Sequence, residues 1–139
     1  MAKANAETSI QRDILDFINR MPGFNAWRQG NHAVPIFRKQ FLQGRWAQIL
    51  VAYRKNVYTR LGLADILFIK KNYKIDPDLN RKIPVEGTVG FIEVKTPTGK
   101  QSPEQVEFQA ICSEFCIYCF VCRSIPDLEA QFKLRGWLK

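Results

Sequence analysis

Apolar residues at Ile10, Ile14, Phe17, Ile18 and Met21 recur at steps of three and four. That spacing marks one face of a helix and predicts an amphipathic helix over residues 7–20, ended by Met21-Pro22-Gly23. Residues 24–28 read as a first strand, followed by a turn at 29–32 that carries the lone His32, expected as a surface residue. Two stretches read as apolar core strands, 62–69 and 90–99, the second stopping at a turn after Lys95. Ser102, Pro103 and Gln105 form a helix start with a capping box, and the helix 103–115 turns Val106, Phe108, Ala110 and Ile111 toward the sheet. A last core strand at 117–123, a helix at 126–134 and a tail at 136–139 complete the chain. The order helix, three strands, helix, strand predicts an α/β sandwich with a mixed sheet flanked by helices.

Two stretches resist this pattern. Residues 51–54 and 56–59 favour extended structure, whereas 40–50 reads as a short helix or a loop. Residues 70–87 read as an unusually long hairpin connection between the two apolar runs, either a flap over a phosphate backbone or a tolerated surface insertion.

Strand alternation brings in the chemistry. Glu93 and Lys95 point to one side while Ile92 and Val94 point to the other, and Asp65 stands at the mouth of the earlier run. If the two runs are neighbours, both carboxylates come within the span of one divalent cation, and a site with two hard oxygen ligands suits Mg²⁺ or Mn²⁺. Each feature alone is ordinary: an acid at a strand end is usually solvated, and Glu-x-Lys on one strand face is usually a surface ion pair. Together with Gln105 just inside the following helix, they resemble the PD-(D/E)XK nuclease superfamily. Within it they are similar to the virus-type replication-repair nuclease (VRR-NUC) domain and to Holliday-junction-resolvase-like nucleases. The resemblance rests on residues 62–69, 91–99 and 102–105, with Glu7 in support; Ala64 stands where the superfamily has proline before the first acid.

The resemblance implies a restriction-endonuclease-like α-β-β-β-α-β core and a metal-dependent endonuclease acting on duplex, branched or junction DNA. It implies Asp65, Glu93 and the backbone carbonyl of Val94 as ligands of Mg²⁺ or Mn²⁺, with Lys95 positioning the attacking water. Gln105 would face the metal site, and Glu7 would be a third carboxylate lent by the first helix. Glu7 is equally accounted for by the favourable placement of an acid near a helix N-terminus. Homodimer formation follows from the resemblance alone.

Composition sharpens the choice of partner. The formal net charge is +8, and no acid lies between Asp16 and Asp65. In that interval Arg28, Arg38, Lys39, Arg45, Arg54, Lys55 and Arg60 alternate with Trp27, Phe37, Phe41, Trp46, Tyr53 and Tyr58. Cations interleaved with aromatics mark a nucleic-acid surface, against the plainer alternative of a solvated basic face. With 46% apolar and 24% charged residues, the 139 positions suit a single soluble domain over residues 1–139. An apolar run of membrane-spanning length and a signal-like amino terminus are both lacking, so a cytoplasmic protein without membrane contact is expected.

Cys112, Cys116, Cys119 and Cys122 invite a zinc reading, but strand alternation sends Cys119 and Cys122 to opposite faces. They are expected as small buried hydrophobes. The rival functions are a binding module that keeps a nuclease scaffold without activity, and a structural zinc domain.

Overall fold

The computed structural model describes residues 2–29, 34–54 and 64–139. The amphipathic pattern near the amino terminus forms helix α1, Ala2–Arg20, which buries Ile14 and Ile18 completely. It begins five residues before the start that periodicity indicates. Glu7 therefore lies beyond the first turn, which contains no acid, and the macrodipole does not account for it.

Strand β1, Phe24–Arg28, follows a turn in which Gly23 takes φ 81°, a conformation glycine adopts without a side-chain clash. Strands β4, Ile66–Asp76, and β5, Arg81–Val94, form a long antiparallel ribbon, and β1 pairs with the free edge of β4. At the outer edge of β1, Asn19 from α1 takes up both backbone groups of Ala26: its Oδ1 accepts from the N–H at 2.8 Å and its Nδ2 donates to the carbonyl at 3.0 Å. That closes an edge otherwise open to another strand.

Helix α2, Pro103–Glu114, carries the chain to strand β6, Tyr118–Cys122, which lies parallel to β5. Helix α3, Ile125–Leu134, completes the unit. The sheet order is β1-β4-β5-β6, a mixed sheet flanked by three helices.

The sheet has two unlike faces. Ile66, Phe68, Ile92, Val94, Phe120 and Cys122 point into a core shared with Ile14 and Ile18 of α1 and Leu128 and Phe132 of α3. Each such aliphatic or aromatic side chain contributes roughly 1.5–3 kcal/mol on burial. The opposite face carries Asp65, Leu67, Phe91 and Glu93, and there Phe108 of α2 meets Phe91 edge-on at 5.1 Å. Residues 136–139 are no loose tail: Gly136 takes φ 73° after α3, and Trp137 turns back onto Phe24, Phe120 and Phe132.

Gly90 is a packing necessity. A Cβ there would fall 2.2 Å from Cζ of Phe68, whose ring stacks on Phe120 in the core. Gly90→Ala is expected to cost about 3 kcal/mol or more and to lower the melting temperature measured by circular dichroism, because the ring has no space to retreat into.

Among the described residues, both stretches that resisted the sequence pattern are strands, and residues 56–59 lie outside the described residues. Residues 70–87 are the continuation of β4 and β5, closed by a short turn at 77–80 in which Asp76 Oδ1 accepts from the N–H of Asp78. Residues 40–50 are neither helix nor loop. They belong to an antiparallel hairpin of β2, Val34–Leu42, and β3, Arg45–Arg54, closed at Gln43 and Gly44 with φ 49° and 77°. Two successive residues at positive φ match the twist of a tight hairpin turn. This hairpin is a second compact unit, separate from the one made by the mixed sheet and the helices.

Candidate functional site

The end of the β4–β5 ribbon assembles the candidate site. Continued by one pair past Ile66 and Ile92, the register sets Asp65 opposite Glu93 on the face away from the core. Two bonds hold Asp65 in place. Its backbone carbonyl accepts from Gln29 N–H at 2.8 Å, and its Oδ2 accepts from Val94 N–H at 2.8 Å. Glu93 is 2% exposed, and the ammonium of Lys95, whose side chain is 12% exposed, stands 3.6 Å from its Oε1.

Gln105 serves two purposes at once. Its Oε1 accepts from Ser102 N–H at 2.8 Å, completing the capping box at the start of α2, while its Nε2 donates to Oε1 of Glu93. The cap therefore fixes the amide that meets the carboxylate. The structural and the site-facing readings of this glutamine coexist in one side chain.

Electrostatics follow from burial. Removal from water, reinforced by the neighbouring Asp65, pushes the Glu93 carboxyl up to about 8, and Lys95 only partly offsets this. Near neutral pH the metal-free site thus retains a proton on Glu93. Two adjacent carboxylates, one of them protonated despite the neighbouring Lys95, present hard oxygen donors of the kind a divalent ion takes.

Glu7 does not join this group. Among the described residues no three His, Cys, Asp or Glu side chains come together as a metal-binding cluster, so the pair Asp65 and Glu93 stands without a third acid. Of the basic candidates, Arg28, Arg38, Lys39 and Arg45 are exposed on β1, β2 and β3. Arg54 ends β3, and Lys55 and Arg60 lie outside the described residues. At the hairpin tip Phe41 and Trp46 face each other across the strands with ring centroids 5.5 Å apart, and Trp46 is 72% exposed.

No family model, curated protein or solved structure matches the chain.

The cysteines divide among environments. Cys122 is buried in the core, Cys116 is exposed beyond α2, and Cys112 and Cys119 neighbour each other between α2 and β6. Burial pushes the thiols of Cys119 and Cys122 up to about 12, so both stay protonated.

One support was missed in the sequence. Arg123 Nη1 donates to the carbonyls of Thr96 at 2.6 Å and Gly99 at 2.7 Å, clamping the turn that follows Lys95. The only sequence signal was an arginine just past a core strand, too common to single out.

Proposed function

We propose that this protein is a metal-dependent endonuclease that hydrolyses phosphodiester bonds in DNA. The observation that carries the reading is a buried Glu93 set opposite Asp65, with Lys95 and Gln105 converging on the same carboxylate. The succession α1, β1, β4, β5, α2, β6 supports a restriction-endonuclease-like core into which the β2–β3 hairpin is inserted. The resemblance to the VRR-NUC domain drawn from residues 62–69, 91–99 and 102–105 points the same way.

Asp65, Glu93 and the carbonyl of Val94 would hold Mg²⁺ or Mn²⁺. Such an ion, when bound, supplies Lewis acidity to a phosphoryl oxygen and acidity to a coordinated water. The chain's own residues do the rest. Val94 N–H keeps Asp65 aimed across the ribbon, and Gln105 holds Glu93 in one rotamer. Lys95, on the same edge, places a positive charge where an attacking water and the developing phosphorane charge must lie. The low exposure of Glu93 and Lys95 strengthens these interactions relative to water. No side chain is required to form a covalent bond to the substrate. The reading also carries a homodimer, one site for each strand of a duplex.

The test is cleavage of labelled linear and branched DNAs by the purified chain, with Mg²⁺ or Mn²⁺ and with chelator. Metal-dependent products support the reading, and their absence from every substrate removes it. Binding gives a separate measure. Arg38→Ala, Lys39→Ala and Arg45→Ala are expected to weaken affinity similarly on unrelated DNA sequences. Each should flatten the slope of log affinity against log salt by about one unit, the effect of one lost phosphate contact. Unchanged slopes in all three variants would place the DNA elsewhere.

A further inference from the structure

Beyond the acids, the same sheet face continues as a row of side chains that α2 leaves uncovered on the β1 side. Register places Trp27 of β1 beside Leu67 of β4, which in turn pairs with Phe91 of β5. Trp27, Leu67 and Phe91 therefore share a face with Asp65 and Glu93, one row further along the strands. Phe91 is covered by Phe108, whereas Trp27 remains 45% exposed. One strand across and two residues along corresponds to a backbone separation of about 8 Å between Trp27 and Asp65.

The next row contains Asn25, Ile69 and Val89, with Ile69 and Val89 both substantially exposed. These three residues border a groove of about 690 Å³ that Lys71 and, from the opposite sheet face, Lys70, Asn72 and Thr88 also line. An indole, the Asn25 amide, the exposed Ile69–Val89 pair at the border of the groove, and a pair of acids thus lie along one face of a chain with net charge +8. Double-helical DNA keeps its bases stacked inside and offers an indole no free face. An unpaired strand offers such faces together with the negative charge that complements Lys71 and Lys95.

We propose that Trp27 is a stacking platform for an unpaired nucleobase next to the phosphate to be cut, and that the adjoining groove receives the nucleotide beyond it. This rests on the nuclease reading of Asp65 and Glu93 for the position of the phosphate. It assigns the substrate class as DNA with a single-stranded segment on one side of the scissile bond. The groove and the indole act on specificity and leave the chemistry to the acids and Lys95.

The experiment measures binding in chelator, where nothing is cut, and cleavage in Mg²⁺. The probes are a blunt duplex and the same duplex carrying an oligothymidine tail. Trp27→Leu keeps the apolar bulk but removes the aromatic face, and Trp27→Phe restores one. Trp27→Leu is expected to lower affinity for the tailed duplex about ten-fold or more and to leave the blunt duplex unchanged, with Trp27→Phe close to the parent. Thermal melts of both variants establish that they fold. An unaltered preference for the tailed duplex in Trp27→Leu overturns the proposal. So does a loss of self-association in that variant with DNA binding intact, which would make the face a contact between copies. Loss of tail binding in a protein that cleaves nothing would uphold the stacking site and remove the nuclease reading, so the two failures are distinguishable.

Discussion

Asp65→Asn and Glu93→Gln are each expected to lower Mg²⁺-dependent cleavage on the order of 10³-fold or more while leaving a folded protein that still binds DNA. The amide replacements are chosen because of a bond the structure shows. Asp65 Oδ2 accepts the Val94 N–H, and alanine would leave that donor without its partner and confuse loss of chemistry with loss of structure. Asparagine keeps an oxygen there and removes only the charge. In Glu93→Gln the new side chain likewise keeps an oxygen that can accept from Gln105. Single-turnover cleavage with enzyme in excess reports the chemical step, and DNA affinity measured in chelator reports the surface. Parent-like cleavage in either variant would sink the assignment of these two acids.

The legible parts of the fold are those with one face in the core. The steps of α1 and the apolar runs of β4 and β5 each encode a side buried against something, so their periodicity survives in the sequence. The described part of β2 has no such contrast. Arg38, Lys39, Gln40, Phe41 and Leu42 are all exposed, and a strand solvated on both faces carries no alternation to read. The one signal of the β2–β3 hairpin was Gln43-Gly44, a plausible two-residue turn that the helix-or-loop reading passed over. The outer ribbon failed for the same reason, with Tyr73 and Ile75 turned to solvent.

Site legibility follows a similar rule. Asp65 and Glu93 sit at the ends of apolar runs whose antiparallel pairing nearly dictates their meeting. Glu7 sits on a helix, where the sequence sets which face is apolar but not how the helix is placed along the sheet, and the structure does not bring it to the acids. The partnership of Gln105 with Glu93 could not be derived from its capping role, although the capping role was plain. In the sequence Trp27 is one aromatic of a basic segment, and only strand register shows that it shares a face with the acids.

The raised carboxyl of Glu93 makes a second strong prediction, on stability. Its folded value is about 8 against an ordinary 4.5, so the folded protein holds this proton more tightly than the unfolded chain does. A group of that kind stabilises the fold fully below its unfolded value, and the stabilisation is lost progressively as pH rises through the folded value. In chelator the parent should therefore lose stability between about pH 5 and about pH 8. Glu93→Gln, which cannot ionise, should lose much less. The two melting temperatures are expected to lie close near pH 5 and to separate above pH 8, with the variant higher by several degrees. Each pKa unit corresponds to about 1.4 kcal/mol, and the gap should be on the order of 2–4 kcal/mol once solvent screening is discounted. Mg²⁺ should act in the reverse sense. It competes with the proton for Glu93, so its stabilisation of the parent should grow with pH and be largely missing from Glu93→Gln. Parallel melting curves for the two proteins across this range, with and without Mg²⁺, would show that Glu93 ionises as an ordinary surface acid and that the site has no need of a cation.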